Sequence, residues 1–144
     1  MLLQEIEDAI ASRIKTPMEA LGVRVRTTPD TDNNGVNTRG FLVVGYTGSS
    51  FSSVNQKIIS LQQRTLNFEL SLSYKDLQTH KDNYAIIEKL FELLTGFAPL
   101  DCDGQYGALY ASRDSFISNS EGFWKYALSF QMIVDHPLLE HTND

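Results

Sequence analysis

Hydrophobic and polar residues alternate strictly between Thr65 and Tyr74. The hydrophobic positions are Leu66, Phe68, Leu70, Leu72 and Tyr74, and the positions between them carry Thr, Asn, Glu and Ser. A period of two residues is typical of a β-strand with one face buried and the other in water or against a partner. Hydrophobic residues then recur at helical spacing before Gly96, at Tyr84, Ile87, Leu90, Phe91 and Leu94. The pattern predicts a strand followed directly by an amphipathic helix near residues 82–95.

The same alternation returns near the end of the chain, in residues 122–134. One face would carry Trp124, Tyr126, Leu128, Phe130, Met132 and Val134. Because this pattern matches that of residues 65–74 in length and sidedness, we expect the two strands to lie in one sheet. Further strands are indicated at 23–27, at 109–117 and at 41–46, where a nearly continuous apolar run predicts a buried central strand.

A second helix would lie at the start of the chain. Leu3, Ile6, Ile10 and Ile14 recur every three or four residues, and they predict a helix near residues 3–15. Thr16 and Pro17 then match the cap and first position of a new short helix, which Gly22 would end. The order α, β, β, β, α, β, β predicts one domain over residues 1–144. Its α+β fold would be a single mainly antiparallel sheet with helices packed on one face.

Residues 29–40 form the longest polar segment and predict a loop. The segment contains Asp30, Asp32, Asn34 and Gly35. This spacing copies the start of an EF-hand calcium loop, but Phe41 stands where the bidentate Glu is required. A strand rather than a helix also precedes the loop. The segment therefore favours a turn rich in Asp and Asn over a calcium site.

Catalytic and cofactor-binding patterns are not indicated by the sequence. The Ser-rich segment 47–56 predicts a loop or irregular sheet edge with an exposed Phe51, and residues 45–49 lack the context of a nucleophile elbow. His80, His136 and His141 have no metal-ligand spacing. We therefore expect no catalytic residue, no metal and no cofactor.

Composition narrows the partners that the chain can bind. With 144 residues and a net charge of −6, the chain does not suit nonspecific binding to DNA, which needs clustered Lys and Arg. A lone cysteine, Cys102, excludes an internal disulfide framework. No apolar run approaches the ~20 residues of a membrane span, and the acidic N-terminus does not resemble a signal peptide. We expect no membrane partner and synthesis in the cytoplasm of the producing cell.

Several short sequences, in this order, carry a family resemblance. They are an acidic first helix with Ile6 and Ile10, GYTGSSF at 45–51, QRTLNF at 63–68, YAIIE at 84–88, LLTGF at 93–97 and FWKY at 123–126. With these segments in this order, the chain resembles the Mu-like phage tail family, whose members act as tail terminators of contractile tails. The resemblance covers residues 3 to 134, without the 30–40 loop and the short tail.

The resemblance implies a structural role in the virion tail, assembled in the host cytoplasm. Such proteins form a hexameric ring that stops growth of the tail tube and sheath and joins the tail to the neck. The implied partners are further copies of the chain, the tube protein, the sheath protein and neck proteins. DNA would pass through the lumen without specific binding, since an acidic surface repels phosphates.

Candidate contacts with a neighbouring subunit or the tube follow from the polar segments and strand faces. They are Asp30, Asp32, Arg39, Tyr46, Phe51, Arg64 and Glu69. Arg64 is the favoured charged anchor, because a guanidinium can pair bidentately across an interface. The alternative for Arg64 is a solvated charge at the end of a strand.

Two other functions remain open from the sequence. A neck or head-completion protein of the same particle would share the size and acidity of this chain. A small α+β ligand-binding module or enzyme would instead need a deep apolar pocket with convergent polar groups.

Overall fold

The computed structural model describes residues 2–27, 39–53, 61–75, 81–100, 107–120 and 122–137. Two helices and five strands follow one another in the predicted order. They are α1 (Leu2–Ala20), β1 (Val23–Arg26), β2 (Gly40–Phe51), β3 (Leu61–Lys75), α2 (Lys81–Leu94), β4 (Tyr110–Ser120) and β5 (Phe123–Pro137). The predicted loop with Asp30 and Asp32, as well as Cys102, His80 and His141, lies outside the described residues.

The strands form one sheet in the order β1-β2-β3-β5-β4. β1 runs parallel to β2, and every other neighbouring pair is antiparallel. The two long alternating strands, β3 and β5, lie side by side, with Phe68 opposite Phe130 and Leu70 opposite Leu128. The predicted α+β fold with one mainly antiparallel sheet is confirmed.

Both helices cover the same face of the sheet. Four residues of α1 at intervals of four are fully buried: Ile6, Ile10, Ile14 and Met18. From α2, Ile87, Leu90 and Leu94 join them, and the ring of Phe91 lies 5.5 Å from that of Phe130. Arg13 connects the helices, because its Nε donates to the carbonyl of Leu93 at 3.2 Å. The alternation of β3 and β5 therefore corresponds to a single helix-covered face.

Helix α1 is longer than the sequence predicts. The predicted break at Thr16 and Pro17 is wrong, since α1 continues through Pro17 to Ala20. Proline lacks only its own N–H, so this close to the helix end it removes a single hydrogen bond to the carbonyl of Arg13. The buried side chain of Met18 stabilises the last turn against the core. Gly22, with a positive φ of 81°, follows α1 as expected.

Strand β2 also departs from the prediction. The segment 47–51 is part of the strand rather than a loop, because it pairs with β3 as far as Phe51 opposite Arg64. The irregularity that the sequence indicates is a β-bulge at Thr47, where the register shifts between Tyr46 and Gly48. The run 41–46 is buried on one face only, because within the described residues both helices lie on that side of the sheet.

Two phenylalanines test how burial varies along the helix-covered face. Phe68 is fully buried in β3, whereas Phe51 in the neighbouring strand is 49% exposed. Replacing Phe68 by Ala should lower the free energy of unfolding by about 3–5 kcal/mol, because the change leaves a cavity. The matched Phe51→Ala should cost less than about 1 kcal/mol. Equal losses for the two variants in denaturant unfolding would contradict this description of the core.

Asn83, near the start of α2, is fully buried, and neither side-chain polar atom has a hydrogen-bond partner within the described part of the chain. An unpaired buried amide costs about 1–3 kcal/mol. Asn83→Leu, which keeps the branching of the side chain, should therefore raise the melting temperature by a few degrees. Asn83→Asp should lower it, because a buried charge is worse than a buried amide. A lower melting temperature for Asn83→Leu would show that the amide is bonded.

Candidate functional site

Three of the predicted contact residues come together at one end of the sheet, where β2 ends and β3 begins. They are Tyr46, Phe51 and Arg64, and with Ser49 they form what we call the Tyr46 cluster. The β-bulge at Thr47 explains their meeting. Side chains alternate along a strand, and the extra residue moves Ser49 and Phe51 to the same side as Tyr46.

Arg64 organises the Tyr46 cluster. Its Nε donates to Ser49 Oγ at 3.0 Å, and its Nη2 donates to the hydroxyl oxygen of Tyr46 at 3.3 Å. The Tyr46 and Ser49 hydroxyls are hydrogen-bonded to each other. The guanidinium carbon also lies 5.5 Å from the centroid of the Phe51 ring, within the range of a cation–π interaction. These contacts fix the guanidinium in one orientation.

The cluster changes the acidity of Tyr46. A hydrogen bond from the Ser49 hydroxyl, followed by the hydrogen bond and positive charge of Arg64, lowers the pKa of the Tyr46 phenol below its ordinary value. Within the described residues, no carboxylate forms an ion pair with Arg64. The cluster therefore carries a positive charge that is not ion-paired among the described residues, with Glu7 and Asp8 in the adjoining groove.

A groove of about 670 Å³ leads to the cluster from the start of α1. Its walls include Leu2, Leu3 and Glu7 together with Tyr46 and Arg64. Glu7 Oε1 accepts the backbone N–H of Tyr46 at 3.0 Å. On the side of β2 away from β3, β1 ends opposite Val43, so within the described residues Glu7 rather than a strand accepts the N–H of Tyr46. The groove can hold a small part of another macromolecule.

The groups in and beside this groove suit noncovalent binding. Across the described ranges, no group of three or more His, Cys, Asp or Glu side chains could hold a metal ion. Two carboxylates, Glu7 and Asp8, line the groove together with Arg64. The Tyr46 cluster itself offers a guanidinium, two hydroxyls and the exposed ring of Phe51. A carboxylate flanked by an apolar side chain is the chemistry that the cluster fits best.

The other predicted contact residues do not join the cluster. Arg39 lies at the opposite end of β2, where its backbone N–H donates to the carbonyl of Gly22 at 3.0 Å. Glu69 lies on the open face of the sheet, between Gly45 and Ser129 of the adjacent strands. Asp30 and Asp32 are outside the described residues.

A second surface was not predicted from the sequence. Phe116 of β4 is 55% exposed, and its ring lies 6.0 Å from that of Trp124 and 5.6 Å from that of Tyr126. A groove of about 250 Å³ separates this aromatic group from α2, and we call it the α2–β4 groove. Burial, with a smaller effect of Tyr84, raises the pKa of Tyr126. In the sequence, the indication of this surface is the aromatic Phe116 within the weakly patterned segment 109–117.

In a comparison with protein families, residues 10–141 match the Gp37 protein family. The chain belongs to the Gp37 family. No curated protein matches this Gp37-family chain. Within the described residues, no helix is both long enough and apolar enough to cross a membrane.

Among solved structures, the Gp37-family chain is similar to a chain from the virion of the native gene transfer agent (GTA) particle. The TM-score is 0.62 at 15% sequence identity, and the match covers 90% of this chain and 94% of the other. At this identity the match shows a common fold. The terminator role inferred from the Mu-like resemblance stays a prediction.

The lowered pKa of Tyr46 can be measured directly. The phenolate absorbance that Tyr46→Phe removes should develop at a lower pH than in a free tyrosine, whose pKa is about 10. Arg64→Ala should shift this titration to higher pH, whereas Arg113→Ala, on exposed β4, should not. Because folding lowers the pKa of Tyr46, ionisation of its phenol stabilises the folded state. This stabilisation is fully present above about pH 10 and is lost as the pH falls through the lowered pKa. Superimposable curves for wild type and Arg64→Ala would contradict this description.

Proposed function

We propose that this Gp37-family chain is a structural protein of a phage-like virion. It acts as a tail terminator: a closed ring of identical subunits, most simply six, that caps the tail tube and sheath and joins them to the neck. The observation that carries this proposal is the fold match to a virion chain across nearly the full length of both proteins. The match to the Gp37 family and the sequence resemblance to tail terminators support it independently.

The distribution of surfaces suits a ring subunit. A ring subunit needs two different lateral surfaces for its neighbours and an axial surface for the next component. The sheet has two edges, at β1 and at β4, which can serve as the lateral surfaces. The Tyr46 cluster lies at an end of β2 and β3 rather than at either edge strand, so we assign it to the axial contact with the tube.

In this arrangement Arg64 is the charged anchor. The Ser49 and Tyr46 contacts orient its guanidinium before the tube arrives, so less conformational entropy is lost on binding. A carboxylate of the tube protein is the expected partner. The segment with Asp30 and Asp32 is a further proposed contact. A net charge of −6 lets DNA pass through the lumen without adhesion.

Particles assembled without this chain test the proposal. Electron microscopy should show tails of uncontrolled length that also fail to join heads, and the added protein should restore both length control and joining. Tails of normal length that fail only at head joining would favour a neck protein. Normal tails joined to heads would exclude both functions.

The anchor is tested separately with Arg64→Ala. We expect binding to purified tail tubes to weaken by about tenfold or more, because the partner carboxylate loses its charged partner. Arg113→Ala removes the same side chain from the exposed strand β4 and should bind as wild type does. Circular dichroism must show that both variants are folded. Unchanged binding of Arg64→Ala would remove the Tyr46 cluster from the axial contact.

A further inference from the structure

The two edges of the sheet differ in their charge. At the β4 edge, the α2–β4 groove carries two carboxylates, Glu88 and Asp114, and no cationic side chain lines it. Within the described part of the chain, neither carboxylate forms an ion pair. The floor of the groove is aromatic, formed by Phe116 and Tyr126. The groove therefore suits an apolar side chain next to a cation.

The β1 edge carries the complementary groups. A cleft of about 620 Å³ between α1 and β1 is lined by three cations, Lys15, Arg24 and Arg26, against two carboxylates. Its local charge is thus positive in a chain whose net charge is −6. Arg24 is exposed and forms no ion pair within the described ranges. Three residues earlier, at the turn between α1 and β1, Leu21 is 42% exposed.

The turn is rigid enough to present these groups together. The carbonyl of Gly22 accepts the backbone N–H groups of Arg39 and Gly40, at 3.0 and 3.2 Å. Gly22 has a φ of 81°, which an L side chain rarely adopts. We call residues 21–24 the β1 corner. The same hydrogen bonds hold the backbone of Arg39 next to the β1 corner, so a further cationic residue lies beside it.

We propose that the β1 corner of one copy docks into the α2–β4 groove of the next copy in the ring. Leu21 packs against the exposed ring of Phe116, and Arg24 lies between Glu88 and Asp114. This inference rests on the proposed ring and specifies its lateral contact. The aromatic floor stays uncharged at neutral pH, since burial raises the pKa of Tyr126.

The position of the two surfaces determines the symmetry. β1 and β4 are at opposite edges of the sheet, so one copy cannot use both surfaces toward the same neighbour. The contact is therefore heterologous, and its repetition closes into a ring when the rotation between copies allows it. Contacts across a twofold axis would instead place the same surface on both copies.

Disulfide crosslinking tests the contact in the full chain. In a Cys102→Ser background, the Leu21→Cys/Phe116→Cys variant should form, on mild oxidation, a ladder of linked chains that ends at the ring. Each single-cysteine variant should remain unlinked. Dimers formed by a single-cysteine variant would indicate a twofold contact and would overturn the proposal.

A charge exchange tests the pairing chemistry. Arg24→Glu and Asp114→Arg should each raise the protein concentration at which half of the chains are in rings by about tenfold. The double variant Arg24→Glu/Asp114→Arg should recover most of this loss. Lys125→Glu and Glu92→Arg are matched controls on the open sheet face and on exposed α2, and they should assemble as wild type does. Native mass spectrometry gives the ring fraction.

The outcomes separate this contact from the ring itself. Wild-type rings with no crosslinking between positions 21 and 116, or with single charge variants that assemble normally, would overturn the lateral contact and leave the terminator proposal standing. A wild-type chain that stays monomeric alone and with tail tubes would overturn both.

Discussion

Burial of a single face of the sheet is the constraint on which the rest of the structure depends. β3 and β5 present their large hydrophobic side chains on the same side, and both helices must lie there to cover them. Among the described residues, no helix covers the opposite face, and β1 and β4 are the edge strands of the sheet. A monomer with this construction has one core and several exposed surfaces of different chemistry. Such an arrangement favours assembly over catalysis.

Much of this fold is predictable from the sequence, because hydrophobic periodicity records burial directly. The strands β3 and β5 and the helix α2 follow from alternation and helical spacing alone. Pro17 shows where local reasoning fails. Its position favours a helix start, but burial of Met18 one residue later outweighs the single hydrogen bond that proline removes.

The candidate site is less predictable, because it depends on register rather than on composition. Tyr46, Phe51 and Arg64 could be named from the sequence, but their meeting requires the bulge at Thr47 and the pairing of Phe51 with Arg64. The role of Ser49 could not be inferred, since a serine in a Ser-rich segment carries no distinguishing signal. The α2–β4 groove was missed because its aromatic residues come from α2, β4 and β5, and two of them have the spacing of core residues.

The bulge at Thr47 divides β2 into two parts with separate roles. Leu42 and Val44 before it contribute to the core, and Ser49 and Phe51 after it join Tyr46 in the cluster. Deletion of one residue there would leave Leu42 and Val44 in place but turn Ser49 and Phe51 to the open face. The presence or absence of the extra residue at this position therefore indicates whether another member of the Gp37 family can form the Tyr46 cluster. A relative that lacks the extra residue can keep the same fold while losing this cluster.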